Sequence, residues 1–96
     1  MLSEVRPAWE GNFTWENFVA YTWQGDDHGK KIIVVNYGPT QGQCYVSITG
    51  LEFMDNEMIF EDIFGHERYI RHKDEIIEKG FYIDIPAYAF YVFTVN

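Results

Sequence analysis

Hydrophobic and polar positions alternate with a period of two through most of this chain, and the pattern centres on residues 31–49, KIIVVNYGPTQGQCYVSIT. Its first half, residues 32–37, opens with four consecutive β-branched residues, Ile32, Ile33, Val34 and Val35. Such side chains are stiff at χ1 and suit a pleated surface. With no polar break until Asn36, the run predicts a strand covered on both faces. The second half, residues 44–48, alternates instead. Cys44, Val46 and Ile48 point one way, while Gln43, Tyr45, Ser47 and Thr49 point the other, which predicts a strand with one wet face. Gly38, Pro39 and Gly42 supply the turn between them. A buried central strand beside a half-buried neighbour is the expected nucleus of a two-layer β domain.

Residues 18–24 alternate Phe18, Ala20 and Thr22 against Val19, Tyr21 and Trp23. They predict a strand that pairs with the central one as a hairpin, through the polar loop Gly25-Asp26-Asp27-His28-Gly29. Gly50 ends the strand before it. Residues 57–64 alternate again, Gly65-His66 turns the chain, and residues 67–71 predict a short strand with Tyr69 and Ile70 inward. DEIIEK at 74–79, followed by Gly80, carries acids in its first turn, lysine near its end and glycine just beyond, so one helical turn is expected in a connection. Residues 81–85 and 88–95 read as strands around a corner at Pro86-Ala87. Near the N-terminus, residues 4–9 are interrupted by Pro7 and can only form an edge or covering segment. Gly11-Asn12 marks a turn, and Thr14 is the expected cap of a helical turn over 15–18. Seven or eight short strands with regular turn signals predict an all-β fold, an antiparallel β-sandwich with Greek-key-like connections. No repeat or low-complexity stretch divides it, so residues 1–96 form a single domain, with 1–17 as a linker or covering segment and 18–96 as the sandwich.

Composition narrows the function. The chain is 47% hydrophobic and 19% aromatic, which excludes a disordered tail. Fifteen acidic against seven basic residues leave a net charge of −8, and Lys30-Lys31 is the only basic pair. A nucleic-acid partner needs a basic patch to displace counterions, and an acidic lipid surface selects the same charge, so neither is expected. No apolar run approaches the ~20 residues that span a bilayer, and the N-terminus has no signal-peptide pattern. The single Cys44 forms no intrachain disulfide. It reads as a small buried hydrophobe, and its free thiol leans towards a cytoplasmic setting.

Candidate chemistry is sparse. Glu61 and Asp62 are strand neighbours and face opposite ways, whereas a glycosidase pair must face across a cleft; Asp74-Glu75 sit in a surface turn. No catalytic residue is assigned. Asp26, Asp27 and His28 could offer metal ligands but match a solvated loop tip equally, and His66 and His72 lack a zinc spacing, so neither metal nor cofactor is expected. Asn12-Phe13-Thr14 fits the N-glycosylation pattern, which also arises by chance. Sugar rings stack on exposed indoles and phenols. Trp9, Trp15 and Trp23, with Asn12, Glu16 and Gln24 nearby, are therefore candidates for carbohydrate binding; the alternative places Trp9 and Trp15 under the N-terminal segment or against a partner and Trp23 in the core. Tyr45 and Tyr82, on outward faces, are weaker candidates of the same kind. Val5, Trp9 and Phe13 are the residues to suspect in self-association.

The run VVNYGPTQGQCYVSI, the acidic stretch EMIFEDIF and the closing GFYIDIPAYAFYVFTV together resemble the C-terminal all-β domain of α-amylase-type enzymes, the family 13 glycoside hydrolases. The matching positions are Val35, Asn36, Tyr37, Pro39 and Gln43, then Gly80, Tyr82, Ile83, Asp84, Ile85, Pro86 and Tyr88. The opening RPAWEGN with Trp9 and Trp15 resembles the segment that enters that domain. The likeness runs over about residues 6–95. It implies a non-catalytic accessory domain that packs on and stabilises a catalytic α/β barrel of an α-glucan-acting enzyme. Such a barrel needs ~250 residues, so its catalytic carboxylates have no counterpart in this chain. The alternative is an independent starch- or maltodextrin-binding module. Implied partners are the barrel, α-glucan, and a second copy of the chain through an exposed barrel-facing surface.

Overall fold

A computed structural model describes residues 2–24, 30–51, 55–65 and 67–95. It is an antiparallel β-sandwich of two sheets. The strands are β1 (Val5–Pro7), β2 (Phe18–Gln24), β3 (Lys30–Asn36), β4 (Gly42–Val46), β5 (Glu57–Asp62), β6 (Arg68–His72), β7 (Phe81–Ile85) and β8 (Phe90–Val95). A 3-10 helix (Thr14–Asn17) precedes β2, and α1 (Lys73–Lys79) joins β6 to β7. The small sheet has the order β1-β4-β7 and the large sheet β2-β3-β8-β5-β6. The last strand, β8, inserts between β3 and β5, so the C-terminal segment locks two earlier hairpins together.

The alternating strands form as their patterns predict. In β7, Phe81, Ile83 and Ile85 are buried while Asp84 is exposed, and in β2 the buried set is Phe18, Ala20 and Thr22. Between the sheets lies an aromatic core. Phe81 of the small sheet stacks on Phe60 of the large one at 4.0 Å between centroids and meets Phe93 edge-on at 5.2 Å. Gly80 closes α1 in a conformation (φ 96°, ψ −176°) open essentially to glycine alone, donating its N–H to the Ile76 carbonyl. A Cβ there would lie 2.8 Å from the Val46 carbonyl oxygen. The N-terminal segment does more than cover: β1 pairs with β4 as an edge strand, and Arg6 Nη2 donates to the Lys79 carbonyl at 3.1 Å.

Four expectations change. The central strand and the strand of residues 44–48 are not sheet neighbours: β3 lies in the large sheet and β4, which spans 42–46, in the small one. Period-two alternation sorts faces, but it carries no information about which sheet a strand joins. Nor is β3 covered on both sides. Ile32 and Val34 are fully buried, but Ile33 and Val35 stand half-buried on an open outer face. In β6 only Tyr69 turns inward, and Ile70 is exposed. Nor does Thr14 cap the 3-10 helix: it is the first helical residue, Phe13 holds the cap position without a side-chain hydrogen bond, and Asn12 Oδ1 accepts the Thr14 N–H at 2.9 Å. The polar hairpin loop of residues 25–29 lies outside the described residues.

Candidate functional site

Two surfaces stand out, one on each sheet. On the outer face of the large sheet the registers set Tyr21 opposite Ile33 and Ile33 opposite Val92. The row extends at one end to Leu2, which bridges to Tyr21, and at the other to Ile63, whose N–H donates to the Val92 carbonyl. A parallel row runs Val19, Val35, Phe90, and Phe64 meets Phe90 edge-on at 5.9 Å. Leu2, Tyr21, Ile63, Phe64 and Phe90 are all exposed. At neighbouring strands ~4.8 Å apart, this band crosses nearly 20 Å of sheet. A polar row bounds it on one side, where Lys31 faces Thr94 and Glu61 pairs with Arg68 at 3.5 Å. Beside Phe90 the band opens into a groove of about 560 Å³ floored by Pro86, Tyr88 and Ala89. Tyr88 holds a positive φ of 58°, rare for a bulky residue, and is exposed.

On the other side of the molecule, Tyr45 and Tyr82 are cross-strand neighbours on the outer face of the small sheet. Their rings lie 5.5 Å apart and are inclined at 59°. Both line an open cleft of about 440 Å³ whose far wall is Ile70, Arg71 and His72 of β6 and Glu75 of α1. The cleft exists because α1 folds the edge strand β6 back beside β7. Arg71 is held by its guanidinium, 5.0 Å above the Tyr69 ring, and by a bond from Nη1 to the Ile70 carbonyl. Burial and the carboxylate of Asp84 push the Tyr82 phenol above its ordinary pKa, so it stays a hydrogen-bond donor through neutral pH.

The three tryptophans do not converge. Trp15 packs against the core, Trp9 is exposed in the loop after β1, and Trp23 stands exposed on the outer face of β2, five residues past Phe18. That separation from the 3-10 helix is about 17 Å along the strand. Trp23 is therefore not core; it lines a cleft with Thr22, Gln24, Lys30, Thr49 and Gly50. Of the suspected association residues, Val5 packs against the core, while Trp9 and Phe13 are exposed. Asn12 is buried, and its Nδ2 donates to Gln43 Oε1 at 2.9 Å, so the folded domain withholds the nitrogen a glycan would need. Asp26, Asp27, His28 and His66 lie outside the described residues. Among those described, no three His, Cys, Asp or Glu side chains gather, and no helix is long and apolar enough to cross a membrane.

Glu61 and Asp62 point to opposite faces. Glu61 is exposed, whereas Asp62 is buried and accepts the Val92 N–H at 3.2 Å and the Phe64 N–H at 3.4 Å, a structural role at the β5–β6 turn. Cys44 is fully buried, and burial pushes its thiol from 9.0 up to about 12. The native thiol is therefore expected to resist iodoacetamide at pH 8 and to react only on unfolding. An acid whose folded pKa is raised stabilises the fold below its unfolded value, so stability declines as pH rises from about 9 towards about 12. The Cys44→Ala variant is expected to show a shallower alkaline decline in urea unfolding; identical slopes would exclude this linkage. Comparison with known protein families, with curated proteins and with solved structures finds no match to this chain.

Proposed function

We propose that this domain is the non-catalytic accessory sandwich of an α-amylase-like, α-glucan-acting enzyme, and that the outer face of its five-stranded sheet docks on the catalytic barrel. The apolar band of Leu2, Tyr21, Ile33, Val92 and Ile63, with the Val19–Val35–Phe90 row beside it, supports the reading most directly. β3 carries apolar residues on both faces but is covered on one, a composition suited to strands that are buried twice. The outer ring of helices on an α/β barrel offers the apolar ridges such a face needs, and the groove beside Phe90 accommodates a protruding side chain. The residues that carry the family resemblance support the same reading, because they fall at structural positions: Asn36 and Pro39 shape the β3–β4 connection, and Gly80, Ile83 and Ile85 set β7 against the core. The runner-up, a carbohydrate module built on three tryptophans, is less favoured because Trp23 sits apart from Trp9 and Trp15.

Association in trans tests docking. The chain is mixed with an α-amylase-type barrel lacking its own β domain and followed by sedimentation velocity and by the barrel's melting temperature. A one-to-one complex and a barrel stabilised by several degrees are expected, since binding to the native state raises its melting point. Ile33→Asp places a charge on the outer face, and is expected to abolish the complex while leaving the domain folded. Absence of any complex with the unsubstituted chain would overturn the docking assignment.

A further inference from the structure

We infer that the cleft where β2 ends and β3 begins, with Lys30 set against Thr49 and Gly50, is a binding site for the carboxylate of a small organic acid. Alternation along β3 turns Lys30 inward with Ile32, Val34 and Asn36, and the residue is only 7% exposed. A lysine at the margin of a fold ordinarily buries its stem and keeps its ammonium in water. Here the ammonium is folded in against the chain: Nζ lies 2.8 Å from the position a Cβ on Gly50 would take. Among the described residues, no oxygen accepts a hydrogen bond from it and no carboxylate pairs with it. An unpaired buried charge is costly, and a ligand of opposite charge removes that cost.

The walls suit an anion. The cleft encloses about 440 Å³ and is lined by Thr22, Trp23, Gln24, Lys30, Thr49 and Gly50, none of which carries a negative charge. Gln24 and Thr49 supply an amide and a hydroxyl that donate to oxygen, while the Thr22 hydroxyl is already engaged with Ser3 Oγ. Gly50, at φ 73°, leaves open the space in front of the ammonium that any side chain would fill. Charge then selects the class of ligand. One ammonium balances one carboxylate. A phosphate carries about two negative charges at neutral pH, and its sites collect arginine forks or several backbone N–H groups. No second cation is among the residues that line this cleft, and the net charge of −8 repels a dianion further. A carboxylate fills only a small part of the volume, and Trp23, 40% exposed, offers its ring to an apolar body. The site draws on nothing in the docking assignment, and either can fail alone.

Sodium benzoate titrated into the isotopically labelled chain at constant ionic strength, with backbone amide and indole N–H signals followed by NMR, tests the site. Saturable shifts centred on Thr49, Gly50 and Trp23 are expected, with a Kd of about 1 mM. Benzyl alcohol, which keeps the ring and lacks the charge, is expected to bind at least about tenfold more weakly, and inorganic phosphate to give no saturable shift. Lys30→Met keeps the stem and removes the charge. It is expected to weaken benzoate binding at least about tenfold and to leave the urea midpoint of the free domain unchanged or raised, because an unpaired buried charge is relieved. A lowered midpoint would show that the ammonium is paired within the fold and would overturn the site. No saturable shift at about 20 mM benzoate would overturn it too, as would shifts that sodium chloride reproduces, which mark an adventitious ion only. Phosphate binding as tight as that of benzoate would overturn the carboxylate assignment.

Discussion

Replacing Phe81 with alanine is expected to remove about 4 kcal/mol of stability, the largest effect of any single truncation in this fold. Phe81 is fully buried and is the small sheet's principal contribution to the inter-sheet core. Its ring stacks on Phe60 of β5, meets Phe93 of β8 edge-on, and lies 5.7 Å from Tyr69 of β6. Truncation therefore strips one partner from three aromatic contacts at once, each worth about 0.5–1.5 kcal/mol beyond the area buried. It also opens a void between two sheets whose backbones are fixed by hydrogen bonds and cannot close over it. A domain of this length is stable by roughly 5–15 kcal/mol, so Phe81→Ala is expected to lower the melting temperature by ~20 °C. Phe81→Leu, which keeps most of the volume, is expected to cost about 1.5 kcal/mol. Urea unfolding followed by circular dichroism measures both. A loss below about 1.5 kcal/mol for the alanine variant would mean that the sheets collapse to fill the space and that Phe81 is not the hub.

Burial of this kind was legible wherever one face of a strand is apolar and the other polar. In β7 the apolar and polar sets separate cleanly enough for the inward residues to follow from the sequence, as do the outward positions of Tyr45 and Tyr82. In β2 the outward set Val19, Tyr21 and Trp23 is as apolar as the inward one, so alternation separates the faces without saying which is buried. β3 was harder to read because its two faces are both apolar. A continuous β-branched run says that both faces favour burial, but within this chain only the face carrying Ile32 and Val34 is covered. The half-buried Ile33 and Val35 are where that difference shows. Ile70 misled for a related reason: in a five-residue edge strand, Tyr69 and Ile70 are equally apolar and only pairing with β5 decides between them. Thr14 misled as a cap because it is itself the first residue of the 3-10 helix, and its N–H is taken up by Asn12 Oδ1 in the turn before it, while Asn12 Nδ2 stays bonded to Gln43. The tyrosine cleft was half legible. Its aromatic floor follows from alternation, but Arg71, His72 and Glu75 reach it only because α1 brings β6 round to β7, a tertiary consequence that no local pattern encodes.

Asn36→Ala is expected to cost about 3 kcal/mol, although the residue carries no hydrophobic surface to lose. Its side chain is fully buried at the end of β3 and holds the crossing between the sheets. Nδ2 donates to three carbonyls, those of Thr40 at 3.0 Å, Ile85 at 3.2 Å and Pro86 at 3.1 Å, while Oδ1 accepts the Gly38 N–H at 3.0 Å. One amide thus closes the β3–β4 turn on itself and ties it to the β7–β8 corner, some fifty residues further along the chain. Alanine removes the amide from all four groups. The Pro86 carbonyl keeps the Ala89 N–H at 3.3 Å, whereas the buried bonds to the Ile85 carbonyl and from the Gly38 N–H are lost. An orphaned buried group costs about 1–3 kcal/mol. Asn36→Asp separates hydrogen bonding from shape. The carboxylate keeps the volume and the bond to Gly38, but it turns an acceptor towards three carbonyl oxygens. It is expected to be at least as destabilising as alanine at pH 7 and to recover part of the loss at low pH, where the protonated acid can donate once. The signature is a stability difference between Asn36→Asp and Asn36→Ala that moves in favour of the aspartate as pH falls through its raised pKa. A pH-independent difference would show that water enters the turn and solvates the charge. A pH-dependent difference would show that Asn36 is fixed by the geometry of the turn and corner it joins, independently of any ligand.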